Sequence, residues 1–285
     1  MLELLTIIYK WKWHIGLFCA IAILSSVIFS SPKFLPPYFE SFSIFYPSNP
    51  AATDRATLFS EDGDRQVSYF GTKGDLDRML TIANSGGLMN HLIQKFDLVN
   101  HYKMDTTNAK YLFYVGREFQ GNYEAIKTDR DAIQIKIQDK NPKMASDMVN
   151  EAVQYINEVN NSMIRDNKNR TIDILKTDLE AKEILISKLN ADLEVGTANE
   201  RVYLQSRLTS LTEEINALQK LYDQYKISAD EGFVSIYIIE SAQPALTKSK
   251  PVRWMICAFA AIGSFVFAVL LVIFLEKFKE VKANA

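Results

Sequence analysis

Residues 131–160 read DAIQIKIQDKNPKMASDMVNEAVQYINEVN, and two different periods meet inside them. Ile133, Ile135 and Ile137 alternate with Gln134, Lys136 and Gln138, which is the beat of a half-buried strand. Asp139-Lys140-Asn141-Pro142 follows. The Asn141 side-chain oxygen suits a helix N-cap, where it accepts from an otherwise unpaired N–H of the first turn. Pro142 suits the first helical position, because its missing N–H costs nothing there and its φ is already helical. No Pro or Gly occurs from Lys143 to Leu193. One helix can therefore run for about 50 residues, on the order of 75 Å. A strand that feeds straight into a helix of that length implies a compact base carrying a stalk.

Further along, Ile172, Leu175, Leu179, Lys182, Ile186, Leu189 and Leu193 step by three and four. Leu204, Leu208, Leu211, Ile215, Leu218, Tyr222 and Tyr225 keep the same spacing on the way back. Between them Val195-Gly196-Thr197-Ala198-Asn199 is the place to reverse, with Gly196 as the helix-ending residue. Two such stripes close on each other as an antiparallel hairpin of coiled-coil character. The blander alternative, two amphipathic helices lying on a globular core, fits their length and narrow stripes less well. The apolar pattern lapses at Asn160, Asn161, Arg165, Asp166 and Asn167, a stretch left for neighbouring subunits or water.

Upstream, Phe42, Ile44 and Tyr46 alternate with Ser41, Ser43 and Phe45 in a strand that stops at Pro47. Residues 48–72 read as irregular, with Asn49-Pro50 and Asp62-Gly63 as turn signals. Short helices are predicted at Gly74–Ala83, Gly87–Leu98 and Thr106–Phe119. Tyr123–Thr128 and Ala132–Asp139 flank Asp129-Arg130-Asp131 as a hairpin, and Phe233–Ser241 is a returning strand.

Both ends of the chain are apolar. Ile15–Ser31 carries no charge and follows Lys10, Trp11, Lys12 and Trp13. Its length, about 26 Å as a helix, is at the short end for a bilayer core, and the tryptophans suit the interface. A cleaved signal peptide is the competing reading, but the small residues here lead into Pro32 rather than an A-x-A-like site. Trp254–Leu275 is likewise uncharged and long enough to span. Ala260, Ser264 and Ala268 recur every four residues in it, as do Ala22, Ser26 and Ser30 in the first, with Gly16 and Ala20 as a further pair. Small residues so spaced let helices pack closely in lipid. The flanking lysines do not settle orientation, since Lys248, Lys250 and Arg253 face Lys10, Lys12, Lys277, Lys279 and Lys282 across the spans. The tails are placed in the cytoplasm because they are too short to fold.

Composition narrows the functions. The chain has 32 basic and 34 acidic residues, and its middle is net acidic, so a nucleic-acid partner is not expected. Cys19 and Cys257 both lie in apolar runs, which excludes a disulfide framework or a cysteine metal cluster in the middle segment. His14, His91 and His101 share no ligand spacing. Asp75 with Asp77, and Asp129 with Asp131, sit where caps and turns want Asp. There is no GxxxxGK[ST] loop and no GxSxG elbow, so no catalytic residue, cofactor or metal is expected. Lys248, Lys250 and Arg253 can meet lipid phosphates, although snorkelling interface anchors are the simpler reading.

The strand ending in Asp139-x-Asn141-Pro142, followed by a helix bearing Ala145, Asn150 and Glu151, resembles the membrane-proximal domain of the polysaccharide co-polymerases, the Wzz-type chain-length determinants. The likeness extends to the span at each end, the strand over Phe39–Tyr46, the coiled hairpin, and the approach to the second span through Pro244, Lys250-Pro251 and Arg253-Trp254. It implies an α/β, membrane-anchored fold: a cytoplasmic N-terminus (1–14), a first span (15–31), a periplasmic base (32–141), a helical hairpin stalk (142–230), a return strand and proline-containing approach (231–252), a second span (253–275) and a cytoplasmic tail (276–285). It further implies an inner-membrane, homo-oligomeric ring that regulates the length of O-antigen or a related polymer made by a Wzy-type polymerase from undecaprenyl-linked repeats. Only Pro244 and Pro251 represent the proline-rich approach, fewer than in many members. No kinase domain follows the second span, so no intrinsic kinase activity is expected. The alternative within the family is an export or activator subunit serving a separate cytoplasmic tyrosine kinase. A sensor or membrane-fusion-type adaptor would need a signalling module or a lipoyl-like β domain, and neither is visible.

Overall fold

The computed structural model describes residues 9–49, 68–230 and 235–284. The chain divides into two compact units: residues 1–41, 138–146 and 244–285 form the first, and 42–137 with 147–243 the second. In chain order the elements are α1 (Lys12–Phe29), β1 (Phe39–Pro47), α2 (Lys73–Ala83), α3 (Gly86–Lys95), α4 (Leu98–His101), α5 (Tyr111–Asn122), β2 (Tyr123–Lys127), β3 (Ile133–Asp139), α6 (Pro142–Val195), α7 (Ala198–Asp230), β4 (Ile236–Glu240) and α8 (Arg253–Asn284). The fold class is α/β and membrane-anchored, with a small sheet, a long helical hairpin and an apolar helix near each end.

In the first unit, α1 packs against α8. Ile15, Ala268 and Val272 form the buried centre of the contact, with Trp11, Cys19 and Val269 around it. The pair is antiparallel. Trp11 Nε1 donates to Glu276 at 3.2 Å near one end, and Ser26 Oγ lies 3.6 Å from Cys257 Sγ near the other. Both helices are long and apolar enough to cross a membrane, and only 6% and 11% of their most apolar windows are buried. Helices of a soluble core would be covered; these keep large apolar side chains such as Leu17, Leu24, Phe259, Ile262 and Leu270 exposed, as lipid-facing helices do. The helical backbone of α8 continues past the predicted end of the apolar run, through Glu276 to Asn284.

The sheet has the order β2-β3-β1-β4. β2 and β3 form the predicted antiparallel hairpin, with Ala125 opposite Ile135. Asp131 takes the left-handed conformation in its turn, at φ 58°. β4 returns antiparallel beside β1, pairing Tyr46 with Tyr237. Its predicted first residue, Phe233, lies outside the described residues, as does most of the segment expected to be irregular.

The second unit holds the main core. Ile133, Ile135 and Ile137 of β3 are fully buried, as are Met148, Val149, Ala152 and Ile156 of α6. So are Met79, Leu92 and Val115 of the short helices. In β1 the fully buried alternation is Ser41, Ser43 and Phe45, whereas Phe42, Ile44 and Tyr46 are half-buried. The physical reason is polar satisfaction of an interior strand: Ser43 Oγ donates to the Glu240 carbonyl at 2.6 Å, so a buried serine there leaves no orphan group. Tyr46 instead packs beside Phe70, ring centres 5.2 Å apart, and Phe70 beside Tyr237 at 6.0 Å. Gly71 makes that approach possible. Its N–H donates to the Pro47 carbonyl at 2.8 Å, and a Cβ on it would come within 2.8 Å of Pro47 Cβ.

The hairpin keeps a single register. Lys182 Nζ donates to Glu214 at 2.7 Å, and one heptad pair below it Lys168 Nζ donates to the Ser228 carbonyl at 3.2 Å. Every stripe residue named above is buried or half-buried, while most of those between are exposed. At the reversal α6 ends on Val195 and α7 begins on Ala198. Gly196 is not left-handed, since no described glycine has positive φ. The turn is made instead by Thr197, whose N–H and hydroxyl both donate to Glu200, at 2.8 and 2.6 Å. A Cβ on Gly196 would sit 3.2 Å from the Asp192 carbonyl, a tight contact.

Candidate functional site

The passage from β3 into α6 is built around one local exchange of hydrogen bonds. Buried Asp139 accepts from the Asn141 N–H at 2.8 Å. Asn141 Oδ1 in turn accepts from the N–H groups of Lys143 and Met144, at 3.0 and 3.3 Å. Pro142 is the first helical residue. The chain thus turns from strand to helix with the orphan donors of the first turn satisfied.

Two turns on, Asn150 acts as a clamp. Its Nδ2 donates to the Ala242 carbonyl and its Oδ1 accepts from the Ala242 N–H, both at 3.0 Å. One amide therefore replaces a sheet partner for the residue at which β4 gives way to the approach to α8. Glu151, beside it, accepts from Lys95 and meets His91 Nε2, each at 2.6 Å. Burial pushes the Glu151 carboxyl up, but the hydrogen bonds from Lys95 and His91 outweigh it and hold it below the usual range. His91 also packs on Tyr155, ring centres 4.7 Å apart, so its place is in the α3–α6 contact.

Of the polar stretch assigned to neighbours or water, Arg165, Asp166 and Asn167 are exposed and Asn161 is half-buried, whereas the start of the stretch is internal. Asn160 is buried and accepts from Arg78 Nε at 2.8 Å. Arg78 also bridges to Asp75 at 2.7 Å. Asn157 accepts from Ser235 Oγ at 2.6 Å. Burial raises the Asp75 carboxyl, yet bonds from Thr72 and Arg78 leave it net lowered. Thr72 and Asp75 form a reciprocal capping box at the start of α2. That Thr-x-x-Asp spacing, like Thr197-x-x-Glu200, was the available signal for both helix starts.

Of the residues singled out around the second span, Lys250 pairs with Tyr38 through the backbone, the Tyr38 N–H donating to the Lys250 carbonyl at 3.0 Å. The Lys250-Pro251 peptide is cis. Pro244 lies in the irregular segment after β4, and Arg253 and Trp254 open α8. Ser264 and Ala268 are buried and Ala260 is half-buried. Ala22 and Ser26 are half-buried and Ser30 is buried, whereas Gly16 and Ala20 are exposed. No group of three or more His, Cys, Asp or Glu arranged for a metal ion occurs among the described residues.

The chain is similar to a full-length bacterial polysaccharide co-polymerase, at 9% identity over 98% of both chains with a TM-score of 0.48. It is similar to a fragment of WzzB, a polysaccharide co-polymerase from Salmonella Typhimurium, at 9% identity over 75% of this chain and all of that one, TM-score 0.43. A mutant of the Shigella flexneri lipopolysaccharide O-antigen chain-length regulator WzzBSF matches at 9% identity over 74% of this chain and 100% of that one, TM-score 0.34. No family model and no curated protein matches the sequence.

Proposed function

We propose that this chain is a non-catalytic polysaccharide co-polymerase of the bacterial inner membrane, which sets the length of O-antigen or a related surface polymer. One observation carries the reading: an Asn141-capped, Pro142-led helix leaves a sheet strand, reverses at Gly196-Thr197 and returns to the same sheet, between two apolar helices. That order of parts is the one the family resemblance rests on. In this reading both termini are cytoplasmic and the middle is periplasmic. Copies of the chain assemble into a ring around a Wzy-type polymerase and its undecaprenyl-linked product. Exposed Leu112, Phe113 and Tyr114 on α5, and Phe70 and Ile239 near the sheet, are apolar surface available for contact between copies. Ala260, Ser264 and Ala268 are assigned to helix packing in the bilayer. Asn141, Pro142 and Gly196 are assigned to shaping the hairpin, and Pro244, Pro251 and Trp254 to setting the second span at the interface.

The test is a chromosomal deletion followed by complementation. The polymer ladder on a gel is expected to broaden or lose its modal band, and the wild-type gene to restore it. A ladder unchanged by the deletion would overturn the proposal.

A further inference from the structure

Charge is divided unevenly between the two units. Outside its helices α1 and α8, the first unit over residues 32–41, 138–146 and 244–252 holds five basic residues against Glu40 and Asp139, and Arg253 at the start of α8 adds a sixth. The second unit is net acidic. The excess is gathered where the apolar helices end. Lys33 follows α1, Arg253 opens α8, and Lys248 and Lys250 immediately precede it. The backbone bridge from Tyr38 to Lys250 ties the two approaches together, and Lys140 Nζ lies over the Tyr38 ring, 5.7 Å from its centre.

Among the described residues none of Lys33, Lys140, Lys248, Lys250 and Arg253 has an ion-pair partner, and the four lysines are exposed. Arg253 Nε is buried with no hydrogen-bond partner. A buried guanidinium nitrogen without an acceptor is a costly thing to keep. A basic fork at the end of an apolar helix meets its natural acceptor in the phosphate plane of a bilayer, where an oxygen pair matches guanidinium geometry.

We propose that the Lys248, Lys250 and Arg253 collar, with Lys33 and Lys140, binds the phosphate headgroup of an anionic phospholipid. The site rests on membrane anchoring alone and is independent of any role in polymer length. The experiment uses the full chain in nanodiscs of phosphatidylcholine containing a minority of phosphatidylglycerol. After transfer to detergent, the retained lipids are counted by native mass spectrometry. Phosphatidylglycerol is expected to be retained in preference to phosphatidylcholine. Arg253→Gln, and separately the exposed pair Lys248→Gln/Lys250→Gln, are expected to lower that preference roughly fivefold for each charge removed. Lys220→Gln on α7 should leave it unchanged. Equal retention of the two lipids, or a preference that survives both variants in chains of native helicity, overturns the proposal. Loss of bound phosphatidylglycerol to millimolar inorganic phosphate would also overturn it, by showing a site for free phosphate rather than lipid.

Discussion

The two halves of α6 are one continuous helix with two different jobs. From Asp147 to Asn161 it is a core element: Met148, Val149, Ala152 and Ile156 are wholly excluded from water. From Ile172 to Leu193 it leans on α7, and among the stripe residues there Leu175 and Leu179 alone are buried. Neighbouring stripe positions are half covered. The contrast follows from geometry, since a helix on a sheet buries a broad face, whereas two helices cover only a seam. The lower half should therefore dominate global stability and the upper half should open first.

The sharpest way to break that comparison is to cut a large side chain from the lower half. Ile156→Ala is expected to cost about 3 kcal/mol of global stability, measured by denaturant unfolding of the full chain in detergent. Leu175→Ala in the upper half is expected to cost about 2 kcal/mol at most. Its effect should appear first as faster hydrogen exchange in α7 rather than as a lower global midpoint. If the two substitutions gave equal global losses, the division of the helix would be wrong.

Asn150→Leu probes the seam between these halves and the returning chain. It strips the N–H and C=O of Ala242 of both partners, which is expected to cost about 1–3 kcal/mol. Exchange at Ala242 should rise even if the hairpin is untouched. Asn150→Asp keeps an acceptor but loses the donor, and should fall between.

Acid offers a milder test of the lower half. Glu151 is held below its ordinary value of 4.5 by Lys95 and His91, against the opposing effect of burial. A depressed folded-state value means the stabilisation is present above the unfolded value and is lost as pH falls through the folded one. The wild type should therefore exceed Glu151→Gln in melting temperature at neutral pH. That gap should close as the pH falls below about 4.5. A gap that persists at pH 2 would place the origin of the effect elsewhere.

What could be read from the residues alone, and what could not, follows the same division. The stripes from Ile172 to Leu193 and Leu204 to Tyr225 were legible because a two-helix seam is periodic. Asn141-Pro142 was legible because a cap is local. The serine face of β1 was not, because buried Ser43 finds its partner far away in the chain, at the Glu240 carbonyl. Asn160 read as surface for the same reason: its partner Arg78 is brought close only by the fold. The basic collar was visible as Lys248, Lys250 and Arg253, but the approach of Lys140 to Tyr38 was not.

The smallest effect is expected at Lys182, the one polar member of the outgoing stripe. Its hydrogen bond to Glu214 raises the lysine and lowers the glutamate from their ordinary values. The pair is solvent-exposed, however, and such pairs add little to stability. What it supplies is register: a charge pair that fits only when residue 182 faces residue 214 disfavours slipped pairings. Lys182→Leu should therefore leave the thermal midpoint unchanged or slightly raised, by extending the apolar seam. Cysteine cross-linking between the two helices should then become less selective, with neighbouring registers now captured. If Lys182→Leu cross-linked in the native register alone, shape of the apolar stripe would be enough to align the hairpin, and the ion pair would be incidental.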